Sequence, residues 1–432
     1  MDYEAQPRAL PEGIDYGDHI IATYYAALPR EMIMYYLAPF LAIEQSTGTW
    51  TPVPGETPEV RAKHVAKVIA IHEAPYFEYE VPKDVDERTY VVQLAFPYRN
   101  IENQIPMMLT AVLGNISMGG KIKLLDIWFP KVFTDGFTGP RFGIKGVQEI
   151  LGVKDRPLLN NMIKPCTGYT CEVGEALFYQ AALGGCDCVK DDELIADMAF
   201  NRVEDRVKAY MAMEKRVYEE TGEHTLYTVN VSDNIPKMFE VARRAVAGGA
   251  NAIMVNYIAV GFPALQALAE DPEVNVPILA HMDCAGAWYE SPNSGVASHL
   301  VLGKLPRLAG ADIIVFPAPY GKAPYLKDRF LTTADSMQYP LHNLKPSMPM
   351  PSGGITQAMV GTCVADLGRD IMIGSGGGIH AHPMGPAAGA RAFRQAIDAV
   401  MQGIPLEDYA KNHQELAVAL GIWSDVFTET TA

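Results

Sequence analysis

Gly184-Gly185-Cys186-Asp187-Cys188-Val189-Lys190-Asp191-Asp192-Glu193 joins two signals in one short stretch. The glycine pair fits the end of a helix, because glycine takes the left-handed conformation that closes a helical run. Cys186–Lys190 then reads as a short buried strand ending in one cation and three carboxylates. Side chains alternate faces along a strand, so Lys190 and Asp192 point one way and Asp191 the other. Glu193 follows where the strand gives way to a loop. Two carboxylates beside a lysine can bind a hard divalent cation such as Mg2+, which takes few protein carboxylates and keeps water or substrate in its other positions. A charged lysine repels such an ion, but a buried one can be held neutral. Its amine can then take up CO2 and become a carbamate, a third oxygen ligand. The other reading is a salt-bridged strand end, since structural ion-pair networks mimic functional sites.

Outward from this stretch the same grammar repeats. Apolar strand candidates are Leu158–Lys164, Cys186–Lys190, Thr225–Val231, Ala252–Tyr257, Val276–His281, Asp312–Phe316, Met348–Ser352 and Asp370–Gly374. Amphipathic stretches such as Asn201–Glu220, Lys237–Val246, Ser298–Leu308 and Gln357–Leu367 lie between them, and Ala387–Met401 closes the series. Gly248-Gly249, Gly310 and Gly368 repeat the helix-ending glycine. Eight strand-then-helix units predict a parallel (β/α)8 TIM barrel over residues 148–432, with a C-terminal helical tail. Such barrels place their chemistry at the carboxyl ends of the strands, where Lys190, Asp192 and Glu193 fall.

Residues 1–147 lack that regularity. Strands are expected at Ile20–Tyr25, Val65–Ile71, Tyr76–Val81, Tyr90–Phe96 and Lys121–Phe129, and helices at Pro29–Glu44 and Ile105–Leu113. The mixture predicts a smaller α+β (ferredoxin-like) domain, joined through the Gly- and Pro-rich Gly136–Gly143. The 432 residues suit a small domain plus a barrel, and 49% apolar residues supply a sizeable core. A net charge of −16 argues against a nucleic-acid backbone binder. No apolar run approaches a membrane span, the opening residues do not read as a signal peptide, and the six cysteines show no zinc spacing. A reducing cytoplasm is the expected compartment.

The stretch GGCDCVKDDE resembles the metal motif of the large subunit of ribulose-bisphosphate carboxylase/oxygenase (RuBisCO). The resemblance implies a carbamylated Lys190 that completes a Mg2+ site with Asp192 and Glu193. Further segments resemble the family in order along the chain. Glu44-Gln45-Ser46-Thr47-Gly48-Thr49-Trp50 is similar to a segment that reaches a neighbouring subunit's active site, and Asn115 matches a substrate-contacting asparagine. Ile163-Lys164-Pro165-Cys166-Thr167-Gly168 is similar to the family's IKPKLG, which implies proton transfer by Lys164; Cys166 departs from the second lysine, as proton shuttle or as filler. His281 matches a histidine, while Met282 and Val315 stand nearest to an arginine and a histidine that serve the second phosphate. His281 either contacts substrate or hydrogen-bonds within the barrel. Lys322 matches a mobile-loop lysine. Ser352-Gly353-Gly354 and Gly374–Gly385 are similar to the family's SGG and GGG-x-x-x-HP-x-G. Glycine loops behind the last two barrel strands suit a phosphate, and glycine also serves tight turns. His380 and His382 are read as structural.

The pattern is identified as that of a RuBisCO-like (form IV) protein. The resemblance implies one phosphate cradle of Thr49, Trp50, Gly354, Gly376 and Gly377, a small monophosphorylated keto substrate, and a homodimer or a multiple of dimers. It implies proton removal beside a carbonyl held on Mg2+, giving an enolate, without CO2 fixation. Lys164 and the carbamate of Lys190 are the candidate bases. A tautomerase or isomerase, for example on a methylthio-sugar phosphate of methionine salvage, is the first expectation. A decarboxylase or transcarboxylase-hydrolase of a phosphorylated branched oxo-sugar acid such as 3-oxo-isoapionate 4-phosphate is the second. A non-catalytic phosphometabolite-binding barrel is the third. The diketo-methylthiopentyl-phosphate enolases of this branch carry a lysine where this chain has Asn115, and lack Lys322.

Overall fold

A computed structural model describes residues 4–49, 51 and 53–423. They fall into two units. The first runs through Phe137 and recovers Ala285–Val301 from later in the chain; the second takes Thr138–Cys284 and the chain from Leu302 on.

In the first unit, β1 (His19–Pro29) lies between β3 (Glu87–Pro97) and β4 (Ile122–Trp128), antiparallel to both, and β2 (Lys67–Glu73) edges β3. The two-residue strand Gly295–Val296 adds a parallel edge to β4, which is how Ala285–Val301 joins this unit. Helices run over Met34–Glu44 and Ile105–Leu113. The expected strand at Tyr76–Val81 does not form. Its alternation of aromatic and acidic residues resembles a strand, but its flanks are Pro75 and Pro82, and β2 is the sheet's edge with no further strand beside it. Tyr79 is fully exposed, so the segment buries no consistent face.

The second unit is the expected barrel. Its strands are β5 (Leu158–Met162), β6 (Cys188–Lys190), β7 (Leu226–Asn230), β8 (Ala252–Asn256), β9 (Ile278–His281), β10 (Ile313–Pro317), β11 (Met348–Ser352) and β12 (Met372–Ser375). All pair in parallel in the order β11-β10-β9-β8-β7-β6-β5-β12, which leaves β11 and β12 as the one junction without a ladder. The strands are apolar on both faces because helices cover the outside and side chains fill the inside. Leu158, Cys188, Leu226, Leu279, Ile313 and Met372 meet at the amino end of the barrel. There Ile144, Val147 and Leu151 of the helix Gly143–Leu151 pack against them and plug that mouth. Each such buried side chain stabilises the fold by roughly 1.5–3 kcal/mol. Gly185 (φ 96°) and Gly249 (φ 104°) sit in the left-handed region directly after helices, as their spacing predicted. Among the described residues no helix is long and apolar enough to cross a membrane.

Candidate active site

The carboxyl end of β6 carries the charged stretch. Lys190 has no accessible surface, and its Nζ donates to the Asp191 carbonyl at 2.8 Å and lies 3.3 Å from Glu193 Oε2. Asp192 is equally buried, with Oδ2 at 2.5 Å from Lys164 Nζ. Asp191 points to the opposite face, as strand alternation requires, and meets Arg206 and Tyr227. Each of the two inward carboxylates is therefore held by its own lysine. Burial works to raise the Glu193 carboxyl, but the Lys190 cation and His281 outweigh it and hold it at about 2. Burial likewise works against the Lys164 cation, and the Asp192 carboxylate overcomes it, so Lys164 sits above the usual lysine range.

Side chains from other strands converge on this end. His281, at the end of β9, places Nε2 3.3 Å from Glu193 Oε2 and Nδ1 2.9 Å from Asp283 Oδ2. It thus bridges two carboxylates within the barrel. Lys164 Nζ also donates to Cys166 Sγ at 3.1 Å, so the thiol is in contact with the lysine. Asn161 Nδ2 donates to His380 Nε2 at 3.0 Å. Burial, aided by the Lys164 charge, pushes the His380 imidazole down to about 4, which keeps it neutral near pH 7. A Cβ on Gly376 would come within 3.0 Å of Lys164 Cε, so this glycine makes room for the lysine. A Cβ on Gly377 would meet nothing within 4 Å, so the approach to its backbone is open. Ser352 is buried at the end of β11. A Cβ on Gly354 would meet the Lys322 backbone nitrogen at 2.9 Å. That nitrogen donates to the Gly353 carbonyl at 2.7 Å, seating the Lys322 loop on the glycines while the Lys322 side chain stays exposed.

Glu44, Thr49 and Asn115 belong to the first unit and are exposed. Asn115 Nδ2 donates to Glu44 Oε1 at 3.1 Å, and both line a cleft of about 290 Å3 with Gln45, Met107, Thr110 and Gly114. Trp50 lies outside the described residues. Asp283 is expected from the sequence only as an anion near the second-phosphate position, and Asn161, Asn230 and Asn256 are missed. The last two end apolar strands, and both donate through Nδ2 to the Glu193 carbonyl, at 3.3 and 3.1 Å. A polar residue closing an apolar strand was the available signal. Among the described residues no three His, Cys, Asp or Glu side chains converge to hold a metal; between Asp192 and Glu193 the third place is taken by a lysine.

Comparison with known proteins gives the following. Residues 13–133 match the family model for the N-terminal domain of the ribulose bisphosphate carboxylase large chain, and residues 143–423 match its catalytic domain. A ribulose bisphosphate carboxylase-like protein of Archaeoglobus fulgidus is 58% identical over 96% of both chains. A 2,3-diketo-5-methylthiopentyl-1-phosphate enolase of Bacillus licheniformis is 38% identical over 89% of this chain and 93% of its own. The crystal structure of the octameric ribulose-1,5-bisphosphate carboxylase/oxygenase of Pyrococcus horikoshii superposes with a TM-score of 0.88 at 30% identity, over 98% of this chain and 97% of that one.

Proposed function

The chain belongs to the RuBisCO large-chain family, in its RuBisCO-like branch, and on that premise we propose that it is a Mg2+-dependent enzyme that enolises a small monophosphorylated keto sugar or sugar acid. The observation that carries this reading is the pair of lysine–carboxylate contacts at the adjacent ends of β5 and β6, Lys164–Asp192 and Lys190–Glu193. Two buried or half-buried carboxylates need compensation by charge, and here two ammonium groups supply it. Carbamylation of Lys190 turns one of those cations into an anion beside Asp192 and Glu193. With CO2 added and two protons released, Lys190 would pass from one positive to one negative charge and the donor set would be three oxygen ligands, which fits a hard dication. Lys190, Asp192 and Glu193 would hold Mg2+, and the ion would supply Lewis acidity toward a substrate carbonyl.

The remaining steps belong to the chain. Once Lys164 is released from Asp192, burial favours its neutral amine, which gives its extra proton to solvent and then takes one from the carbon beside the carbonyl. Neutral His380 accepts from Asn161 at Nε2 and so adds no second cation beside Lys164. The open backbone at Gly377 and the seated loop of Gly353 and Gly354 suit one phosphate. Met282, Asp283 and Cys284 follow β9, and Val315 is buried within β10, which ends Phe316-Pro317, so these strand ends offer no cation for a second phosphate. Carboxylation of ribulose bisphosphate is therefore not expected. Enolisation also agrees with the activity for which the Bacillus relative is named, although Asn115 here is tied to Glu44. A homodimer or a multiple of dimers, with Glu44, Thr49 and Asn115 serving a neighbour, completes the proposal. The six free thiols suit a reducing cytoplasm.

The test is proton NMR in D2O with 2,3-diketo-5-methylthiopentyl 1-phosphate, Mg2+ and bicarbonate. The expected result is exchange of the C–H proton beside the carbonyl, lost with EDTA and in Lys164→Met. Exchange no faster than in buffer, or equal in Lys164→Met, removes this reading.

A further inference from the structure

Behind the inward-facing pair lies a buried polar set that the proposed chemistry does not use. Asp191 has no accessible surface, and it stands between Lys190 and Asp192 in the chain. Its carboxylate takes every contact from one side. Tyr227 donates its hydroxyl to Oδ1 at 2.8 Å. Arg206 Nε and Nη2 donate to Oδ2 at 3.2 and 3.0 Å, and the Asn230 backbone N–H adds a third contact to that oxygen at 2.9 Å. Arg206 also has no accessible surface, and its remaining donors reach the Asn201 and Ala196 carbonyls at 2.5 and 3.1 Å. It sits on the helix Val203–Thr221, so the outer helix layer grips the strand end directly. Burial, followed by the neighbouring Asp191 charge, keeps the Tyr227 phenol protonated, so its O–H serves as a donor.

Two consequences follow from strand geometry and charge. Asp191 lies just past β6, where its N–H still bonds the Thr228 carbonyl at 3.2 Å, so the alternation carries on and an outward Asp191 leaves Lys190 and Asp192 inward. Neutralising Asp191 with Arg206 also removes a third carboxylate that would compete for a dication. We propose that Arg206 and Tyr227 are positioning residues that set the cation-binding geometry of Lys190, Asp192 and Glu193 by holding Asp191 on the outer face. This inference rests on the reading of those three residues as the Mg2+ site. Partners that orient metal ligands from outside typically change affinity by about 10–100-fold when lost.

The experiment uses Mn2+ as probe, with bicarbonate present, and follows bound Mn2+ by electron paramagnetic resonance alongside thermal unfolding of each variant. The full chain is compared with Arg206→Lys, Tyr227→Phe, Lys190→Ala and, as a stability control, Arg307→Lys. Arg307 is another buried arginine, bonded only to backbone carbonyls away from this site. The expected result is Mn2+ binding about 10–100-fold weaker in Arg206→Lys and measurably weaker in Tyr227→Phe, with wild-type affinity in Arg307→Lys even where its unfolding temperature falls. If Arg206→Lys fails to fold, Tyr227→Phe decides alone. Wild-type affinity in the folded Tyr227→Phe and Arg206→Lys proteins overturns the proposal. Wild-type Mn2+ binding in Lys190→Ala instead overturns the metal-site reading beneath it, whatever the other variants do.

Discussion

Both ends of the barrel bury charge, and they hold it by different means. At the amino end Asp312 accepts from three backbone N–H groups, those of Phe142, Gly143 and Ile278. Asp187 meets Arg156 through two 2.8 Å contacts and takes the Leu159 N–H as well. Arg307 gives its donors to the carbonyls of Lys345, Ser336, Tyr339 and Leu344. These partners are main chain or a fully engaged fork, and none can change without moving an element. At the carboxyl end Lys164, Lys190, Asp192, Glu193 and His281 hold one another through side chains. Side-chain pairs can be reassigned while the backbone stays still. Charge fixed by the backbone serves stability; charge held by exchangeable partners is available for chemistry.

Breaking the exchangeable end should have the largest effect. Lys190→Ala should lose Mg2+-dependent turnover altogether while the fold persists at a lowered unfolding temperature, because Glu193 loses its compensating cation. Steady-state rates and a melting curve on the same sample check this. Lys164→Met should lower turnover by about 10²–10⁴-fold, the usual worth of a general acid or base. The same variant should bind Mn2+ more tightly than wild type, since Lys164 otherwise occupies Asp192 Oδ2. Weaker binding would show that the two lysines are not exchangeable compensators.

Breaking the fixed end should move stability and leave rate per folded molecule alone. Arg307→Met strands buried carbonyls, each costing about 1–3 kcal/mol, so a loss of several kcal/mol in urea unfolding is expected with kcat unchanged. Asp312 supplies a smaller, pH-dependent effect. Burial raises its carboxyl to about 6, against backbone N–H groups that pull it down. Its folded value exceeds the unfolded one, so its contribution is fully present below about pH 4 and is lost as pH rises through about 6. The shift is worth roughly 3 kcal/mol. As pH rises between those values, the urea midpoint of wild type should fall relative to that of Asp312→Asn, which carries no titrating group at this position.

The barrel was legible because its signals are local and repeated. Apolar strands, helix-ending glycines and amphipathic helices recur unit after unit, and a strand is recognised without knowing its neighbour. Tyr76–Val81 shows the limit: alternation alone does not make a strand where no partner strand lies alongside. Within the site, the cluster Lys190 to Glu193 was visible because it is contiguous. The contact of Lys164 with Cys166 is two residues long and still went unread, because it depends on how the chain turns after β5. His281 against Glu193, and His380 against Asn161, join strands far apart in sequence. Which side chains meet across a barrel mouth depends on strand tilt and stagger, which no single segment encodes.

The unladdered junction between β11 and β12 gives the barrel a mechanical character of its own. Seven junctions resist opening through backbone ladders, and this one is held by packing and by two side-chain bonds, Ser375 Oγ to the Ile355 carbonyl at 2.9 Å and Gln357 Nε2 to the Gly378 carbonyl at 3.0 Å. It is the compliant seam of an otherwise stiff ring. The strands on its two sides end in Gly353-Gly354 and Gly376-Gly377. Flexing there strains two side-chain hydrogen bonds and no ladder, so the two glycine loops can shift against each other more cheaply than other neighbouring strand ends, while the lysines and carboxylates after β5 and β6 keep their spacing.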